Sequence, residues 1–313
     1  MMWWEKMNIN QKKIIVVMST YNGENYIETQ IESILHQVNV SVCLIVRDDG
    51  STDKTKDILE KYQTCNKLIW YSGDNLKPAR SFLDLLKYVE NNFESTEYDY
   101  IAFADQDDIW NCNKLCTAAN HLDDGYDLYF CSMEAFCDEK PELNTIVRGV
   151  ALKKGEILFR NSVAGCTMVF NKKVLHSINL YTPSYIEMHD SWIMRVCSIL
   201  EYKMYADSLV LMKYRIHEKN VCGVSISLLD KIKNHLRNVW LNDSNVFSET
   251  AHELLNGYFD TADIYYKKLL LLLDRKQKIR CRKIKLLINV LKINFSTGLR
   301  KMSCLFKIAI GKI

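Results

Sequence analysis

The chain has no uncharged apolar run of about 18 residues, so the sequence predicts no membrane-spanning helix. Its start, Met1-Met-Trp-Trp-Glu-Lys6, lacks the apolar stretch of a secretion signal. No two of its 11 cysteines form a C-x-x-C pair, and the number is odd. Cys112 and Cys116 come nearest to ligand spacing, but no Cys/His set at zinc spacing accompanies them. The cysteines therefore read as reduced thiols of a cytosolic protein. There is no G-x-G-x-x-G and no G-x-x-x-x-G-K-[ST], which excludes a dinucleotide fingerprint and a P-loop. Internal repeats and low-complexity tracts are also missing.

What remains is an ordinary folding composition, 48% apolar and 25% charged over 313 residues. That length suits one large domain, or a domain with an appendage. The net charge of +3 hides an asymmetry. From Ile264 onward there are 14 Lys/Arg and one acidic residue, Asp274. The preceding residues carry 27 Lys/Arg and 37 Asp/Glu, a net of −10. Two parts with different tasks are expected.

Lys12-Lys-Ile-Ile-Val-Val-Met18 reads as a basic entry into a buried strand, and Ser19-Thr-Tyr-Asn-Gly23 as the loop that ends it. Asn25 is placed to cap the next helix, with Glu28 in capping-box register. Ile27, Ile31, Ile34 and Leu35 give that helix one apolar face. A second strand, 42–46, runs into Arg47-Asp48-Asp49-Gly50-Ser51-Thr52-Asp53, and a helix follows over 54–62. Residues 68–71 form a third strand. Pro78 opens a helix with Phe82, Leu85, Leu86 and Val89 on one side. This alternation predicts an α/β fold, a mostly parallel central sheet flanked by helices.

The run 100–104 reads as a buried strand, and it stops at Asp105-Gln106-Asp107-Asp108. In parallel α/β sheets, ligands bind at the carboxyl ends of strands. Carboxylates crowded there repel one another unless a cation neutralises them. Asp105 and Asp107 are placed to offer oxygens to one ligand. Taken alone, a D-x-D also reads as a solvated acidic turn. The other strand ends carry Ser19, Tyr21 and Asn22, then Asp48 and Asp49, so polar residues gather at one sheet edge. Further along, 127–133, 165–170 and 209–212 read as strands, and a helix begins near Met188. From Ser225 the pattern turns helical. Ile284, Leu287, Ile288, Leu291 and Phe295 keep an apolar face beside Lys283, Lys285 and Lys292.

Ser-Thr-Tyr-Asn-Gly-Glu (19–24), Asp-Asp-Gly-Ser-Thr-Asp (48–53) and Ala-Asp-Gln-Asp-Asp-Ile-Trp (104–110) occur in that order, each after a strand. Together they resemble the family 2 inverting glycosyltransferases, and within them a bacterial rhamnosyltransferase-like branch. The resemblance covers about residues 12–222 and implies a catalytic domain with the GT-A nucleotide-sugar-binding fold. Residues 223–313 would be a helical, basic C-terminal extension.

The resemblance also implies roles. Ser19, Tyr21, Asn22, Asp49 and Asp105 would bind the nucleotide. Tyr21 stacks on the base, Asp49 accepts the imide N–H of uracil or thymine, and Asp105 lies near the ribose. Asp107 would bind Mg²⁺ or Mn²⁺, hard cations suited to carboxylate oxygen. Asp190 matches the catalytic base, which takes a proton from the acceptor hydroxyl as it attacks the anomeric carbon. An oxocarbenium-like transition state is implied, as in glycoside hydrolysis. His189 would support it. Lys213-Tyr-Arg-Ile-His217 resembles a Tyr-Arg-x-His segment whose histidine approaches the metal–diphosphate, so His217 joins the metal site. Arg215 would meet diphosphate or a carboxylate. Lys77 and Arg80 fall in a stretch matching the nucleotide pocket. Asp108 is either a site residue or the cap of the following helix.

The implied activity moves a sugar, with rhamnose one option, from a UDP- or dTDP-sugar donor to a lipid-linked bacterial surface polysaccharide such as capsule or O-antigen. The expected place is the cytoplasmic face of the plasma membrane, with the concentrated positive charge of the tail on anionic lipid; the alternative is that its apolar face packs on the catalytic domain or on a second subunit. A nucleotidyltransferase is the rival enzyme, but Gly23 alone does not supply its glycine-rich phosphate loop. A haloacid-dehalogenase-type phosphatase carries D-x-D after its first strand, and here the pair comes later. A membrane-associated scaffold with the same fold is the non-catalytic rival. No nucleic-acid partner is expected, because no aromatic-and-basic module is present.

Overall fold

The computed structural model describes residues 11–139, 144–217 and 245–313. The chain divides into two compact units. The first gathers residues up to 150 with 163–179 and 203–224, and the second gathers 151–162, 180–202 and 225 onward. The boundary expected at 222/223, the helical onset at Ser225 and the end of the segment begun by Lys213 lie outside the described residues. Residues 151–162 and 180–202, read from the sequence as part of the catalytic domain, cluster with the C-terminal helices.

The first unit holds strands β1 (Lys12–Thr20), β2 (Val40–Asp48), β3 (Ile69–Ser72), β4 (Tyr100–Ala104), β5 (Ile109–Trp110), β6 (Leu128–Phe136), β7 (Thr145–Val147), β8 (Met168–Asn171) and β9 (Met204–Arg215). Its helices are α1 (Ile27–Leu35), α2 (Thr55–Thr64), α3 (Lys77–Asn92), α4 (Lys114–Asp123) and α5 (Lys172–Asn179). The strands form one mixed sheet in the order β3-β2-β1-β4-β8-β6-β9-β5, with β7 beside β6. β3, β2, β1 and β4 are parallel, as βαβ crossovers require. β8 runs antiparallel to both β4 and β6, and β9 pairs parallel with β6 and antiparallel with β5.

Both faces of the parallel part are covered at its centre, which is why the middles of β1, β2 and β4 are apolar. Ile14, Val16 and Met18 point with Leu44, Val46, Ala102 and Ala104 toward α1, α2 and α4. Their alternates, Ile15, Val17, Ile101 and Phe103, are equally buried, and Phe82 of α3 meets Phe103 edge-on at 5.1 Å. Burial of this kind contributes roughly 1.5–3 kcal/mol per large apolar side chain.

Some local expectations need correction. Asn25 does not cap α1; Tyr26 stands at the N-cap without a side-chain bond, and Glu28 pairs instead with Lys61 at 2.9 Å. The stretch expected as a strand from Gly165 begins as a single 3₁₀ turn, and extended backbone starts only at Met168. β9 is longer than the apolar run 209–212, because it pairs with β6 from Met204 to Arg215.

In the second unit, α6 (His189–Ile199), α7 (Val246–Tyr258), α8 (Ile264–Leu273), α9 (Arg282–Lys292) and α10 (Gly298–Ala309) accompany a 3₁₀ turn at Glu156–Leu158. Trp192, Tyr258, Leu254, Leu269, Leu270 and Leu273 are buried there. Asp263 caps α8 by accepting from the Tyr265 N–H at 3.1 Å, and Thr297 caps α10 from the Arg300 N–H. Among the described residues no helix is long and apolar enough to cross a membrane.

Candidate active site

The strand ends fall level. Thr20 is in register with Asp48 and Met18 with Ala104, so the loops after β1, β2 and β4 emerge side by side. The Asp49 N–H donates to the Thr20 carbonyl at 2.8 Å, tying the first two. Gln106 ties the first to the third. Its Oε1 accepts from Thr20 Oγ1 at 2.6 Å and from the Tyr21 N–H at 2.9 Å, and its Nε2 donates to the Tyr21 carbonyl. Gly23 is required by this clamp, since a Cβ there would lie 2.5 Å from Gln106 Oε1. Gly50 turns the second loop at φ +83°, a conformation open to glycine. Gln106 is not marked out in the sequence, where it stands between two aspartates.

Of the expected nucleotide residues, Tyr21 is half exposed at 48%, as a stacking platform requires. Asn22, at φ 48°, spends its side chain on the loop. Its Oδ1 accepts from the Thr52 N–H at 2.8 Å, and its own N–H donates to Ser51 Oγ. Ser19 Oγ is bonded to Ser81 Oγ at 2.6 Å. Asp48 and Asp49 differ sharply. Asp48 is fully buried and closes the turn, accepting from the Gly50 and Ser51 N–H groups and from Ser72 Oγ. Asp49 is ion-paired through Oδ1 with the buried Arg47 guanidinium. Lys77, at φ 64°, and Arg80 are exposed at the start of α3.

The three carboxylates after β4 also take different places. Asp107 Oδ2 lies 2.7 Å from His217 Nε2, and the His217 ring stacks on Tyr26 at 5.1 Å. These two expected metal residues, 110 apart in sequence, are thus in contact. Asp105, Asp108 and Cys166 bring ligating atoms within 4.8 Å of one another. Asp108 does not cap α4, whose N-cap is Asn113; it is fully buried and accepts from the Arg215 N–H at 3.4 Å. Burial first, then the charges of Asp105 and Asp107, push the Asp108 carboxyl well above the usual carboxylate range.

Cations offset this crowding. Arg215 donates Nε to the Asp107 carbonyl at 3.0 Å, pairs with Asp138, and lies against the Tyr26 and Phe136 rings. Lys114 is fully buried, with Nζ 2.6 Å from the Cys166 carbonyl and over the Trp110 ring. Burial brings its ammonium down to about 8, against the opposing pull of Cys131, Cys166, Asp108 and Asp105. Nothing in the sequence marks Lys114, which looks like an ordinary helix-start lysine.

Asp190 belongs to the other unit. It sits in the first turn of α6, where a carboxylate meets the positive end of the helix. Met188 is the N-cap, so capping is not the reason for an aspartate here. Asp190 Oδ1 accepts from the Ser191 N–H. His189 beside it is buried, and burial brings its imidazole down to about 3.

A curled, mostly parallel sheet whose strand ends carry clamped loops and a carboxylate cluster defines a glycosyltransferase of the GT-A type. Residues 15–178 match the family described as glycosyl transferase family 2, and the chain belongs to that family. It is 31% identical over 240 residues to the dTDP-rhamnosyl transferase RfbG of Shigella flexneri, covering 71% of this chain and 80% of that protein. It is 24% identical over 247 residues to the Escherichia coli UDP-Glc:alpha-D-GlcNAc-diphosphoundecaprenol beta-1,3-glucosyltransferase WfaP, covering 78% and 93%. Among solved structures, residues 1–349 of TarS from S. aureus in complex with UDP-GlcNAc superpose with a TM-score of 0.58 at 17% identity. That match covers 96% of this chain and 88% of the other, and it concerns the fold.

Proposed function

We propose that this glycosyltransferase transfers a sugar, with inversion, from a uridine or thymidine diphosphate donor to a lipid-linked glycan during bacterial surface polysaccharide synthesis. The observation that carries the reading is the contact between Asp107 and His217 at 2.7 Å, beside strand ends that hold Tyr21 and Asp49. The likeness to RfbG supports a dTDP-rhamnose donor, and the likeness to WfaP supports a diphosphate-lipid acceptor.

A divalent cation fits these residues. Asp107 offers hard oxygen and His217 a ring nitrogen, and the excess of carboxylates around them favours a positive charge. When bound, Mg²⁺ or Mn²⁺ acts as a Lewis acid on the diphosphate. Tyr21 and Asp49 bind the base, Asp105 meets the ribose, and Gln106 keeps their loops together. Asp190 takes the acceptor proton, with general-base help worth typically 10²–10⁴-fold.

The enzyme works at the inner face of the plasma membrane. Leu299, Met302 and Phe306 of α10 are exposed, at 85, 65 and 50%, beside Arg300, Lys301 and Lys307. Ile284, Ile288 and Leu291 of α9 are exposed beside Lys283, Lys285 and Lys292. Apolar side chains among lysines and arginines suit an anionic headgroup layer, where each basic residue contributes about 1 kcal/mol. Vesicles with and without anionic lipid, at low and high salt, test this part. Binding that ignores both lipid charge and the Leu299→Ser/Phe306→Ser change overturns it.

Titration calorimetry with UDP and dTDP, with and without Mn²⁺, tests the site. Asp107→Asn keeps the shape and removes the charge, so the metal-dependent gain in affinity should disappear. Equal affinities in both proteins would return the carboxylates to an acidic turn.

A further inference from the structure

Arg47, at the end of β2, lies between Asp49 of the second loop and α3, and it is 4% exposed. Its Nη1 pairs with Asp49 Oδ1 and approaches Ser81 Oγ at 3.4 Å. Its Nε donates to Asp84 Oδ2 at 2.9 Å, and its Nη2 to the Asp74 carbonyl at 3.0 Å. Tyr71 holds Asp84 from the far side, its hydroxyl donating at 3.0 Å. Gly73 leaves the room the guanidinium occupies, since a Cβ there would stand 2.7 Å from Nη2. One guanidinium thus joins the end of β2, the loop after β3 and the first turns of α3. Its planar fork permits this, and a lysine ammonium would not.

We infer that Arg47 is a positioning residue that makes Asp49 an acceptor-only group and thereby sets selectivity for a base with an N–H at the pyrimidine 3-position. The inference rests on the nucleotide reading above and deepens it. A guanidinium donates and never accepts, so it engages Oδ1 and leaves Oδ2 for the ligand. Uracil and thymine present N3–H to such an acceptor. Cytosine presents a lone pair at N3 and is repelled. Without its cation, a buried carboxyl takes up a proton. It then becomes a donor and accepts cytosine as readily as uracil. Arg47 therefore controls which base fits, through the state and place of a carboxylate of which it takes one oxygen and the substrate the other.

The test is a comparison of UDP and CDP affinities, each with Mn²⁺, by titration calorimetry. The wild-type protein should prefer UDP by roughly tenfold or more, as sites built around one hydrogen bond do. Arg47→Met should bring the UDP:CDP ratio close to one, chiefly through weaker UDP binding. Arg47→Lys should restore only part of it. Should Arg47→Met fail to fold by circular dichroism, Gly73→Ala and Asp84→Asn carry the test. The first pushes on Nη2 and the second frees Nε, and both should lower the ratio several-fold with the fold intact. A purely structural Arg47 would change both affinities together and leave the ratio unchanged, which would overturn the inference. A wild-type protein that binds UDP and CDP equally would also overturn it. Failure of UDP and dTDP to bind wild type at all would instead refute the nucleotide reading.

Discussion

Both units of this protein bury carboxylates, but the sheet unit also crowds some of them together. In the helical unit each buried acid stands alone among donors that are mostly neutral. Glu253 accepts from Tyr181 Oη at 2.8 Å, the Ser184 N–H at 2.9 Å and Ser184 Oγ. Glu156 accepts from the Ser296 N–H and Oγ, with Arg160 at 3.3 Å. Asp274 accepts from the Lys276 N–H, Gln277 and His252. In the sheet unit Asp48 and Asp207 are also held by mostly neutral donors, but the acids of the strand-end loops crowd together: Arg47 pairs with Asp49, His217 and Arg215 lie around Asp107, and Lys114 lies near Asp108. A buried carboxylate with satisfied lone pairs is a staple. Carboxylates that repel one another and leave oxygens for an added charge form a site.

Breaking the comparison should hurt differently on each side. The largest effect is expected at Asp190, the exception within the helical unit, which is only partly buried and sits at a helix start. Asp190→Asn should lower turnover by roughly 10²–10⁴-fold while nucleotide affinity holds. Single-turnover rates beside calorimetry would show this, and a rate within a few fold of wild type would pass the base role to Glu187.

Glu253→Ala should act on stability alone. It strands the Tyr181 and Ser184 donors, at about 1–3 kcal/mol by urea unfolding. Affinity for UDP should not change; a large loss would mean that this staple serves the site as well.

His189 sharpens the comparison through pH. Its imidazole titrates at about 3 in the folded protein because it is buried, and near its usual value of 6.5 when unfolded. Below pH 6.5 the unfolded chain therefore binds a proton that the folded protein refuses, and stability falls as pH drops toward 3. By pH 5 the loss is about 2 kcal/mol. His189→Asn should flatten that part of the curve, read as unfolding midpoints at pH 7 and pH 5. An unchanged slope would assign it to the carboxylates instead.

The alternation of apolar strands and amphipathic helices was legible because burial on two faces makes the middles of β1 and β2 and all of β4 apolar. Their polar ends were legible for the complementary reason: Ser19, Arg47 and Asp105 follow directly where the apolar runs stop. The pairing of β8 between β4 and β6, in the opposite direction, was not legible. Strand direction depends on which edge a distant segment reaches, and Met168–Asn171 looks the same either way. The helix caps failed for a smaller reason, since Tyr26 could take the place that capping chemistry gives to Asn25.

The sequence by itself determined the family, the parallel part of the sheet and the order of the loops, because these follow from periodicity and from short motifs. Only the tertiary structure decided what each charged residue does. Asp48 and Asp49 are neighbours, yet one closes a turn and the other faces Arg47. Asp107 and Asp108 are neighbours, yet one meets His217 and the other is sealed in the core. Lys114 and Gln106 gained their roles from partners 52 and 85 residues away. Charge and hydrogen bonding act through space over a few ångströms, and the chain brings those groups together only when it folds.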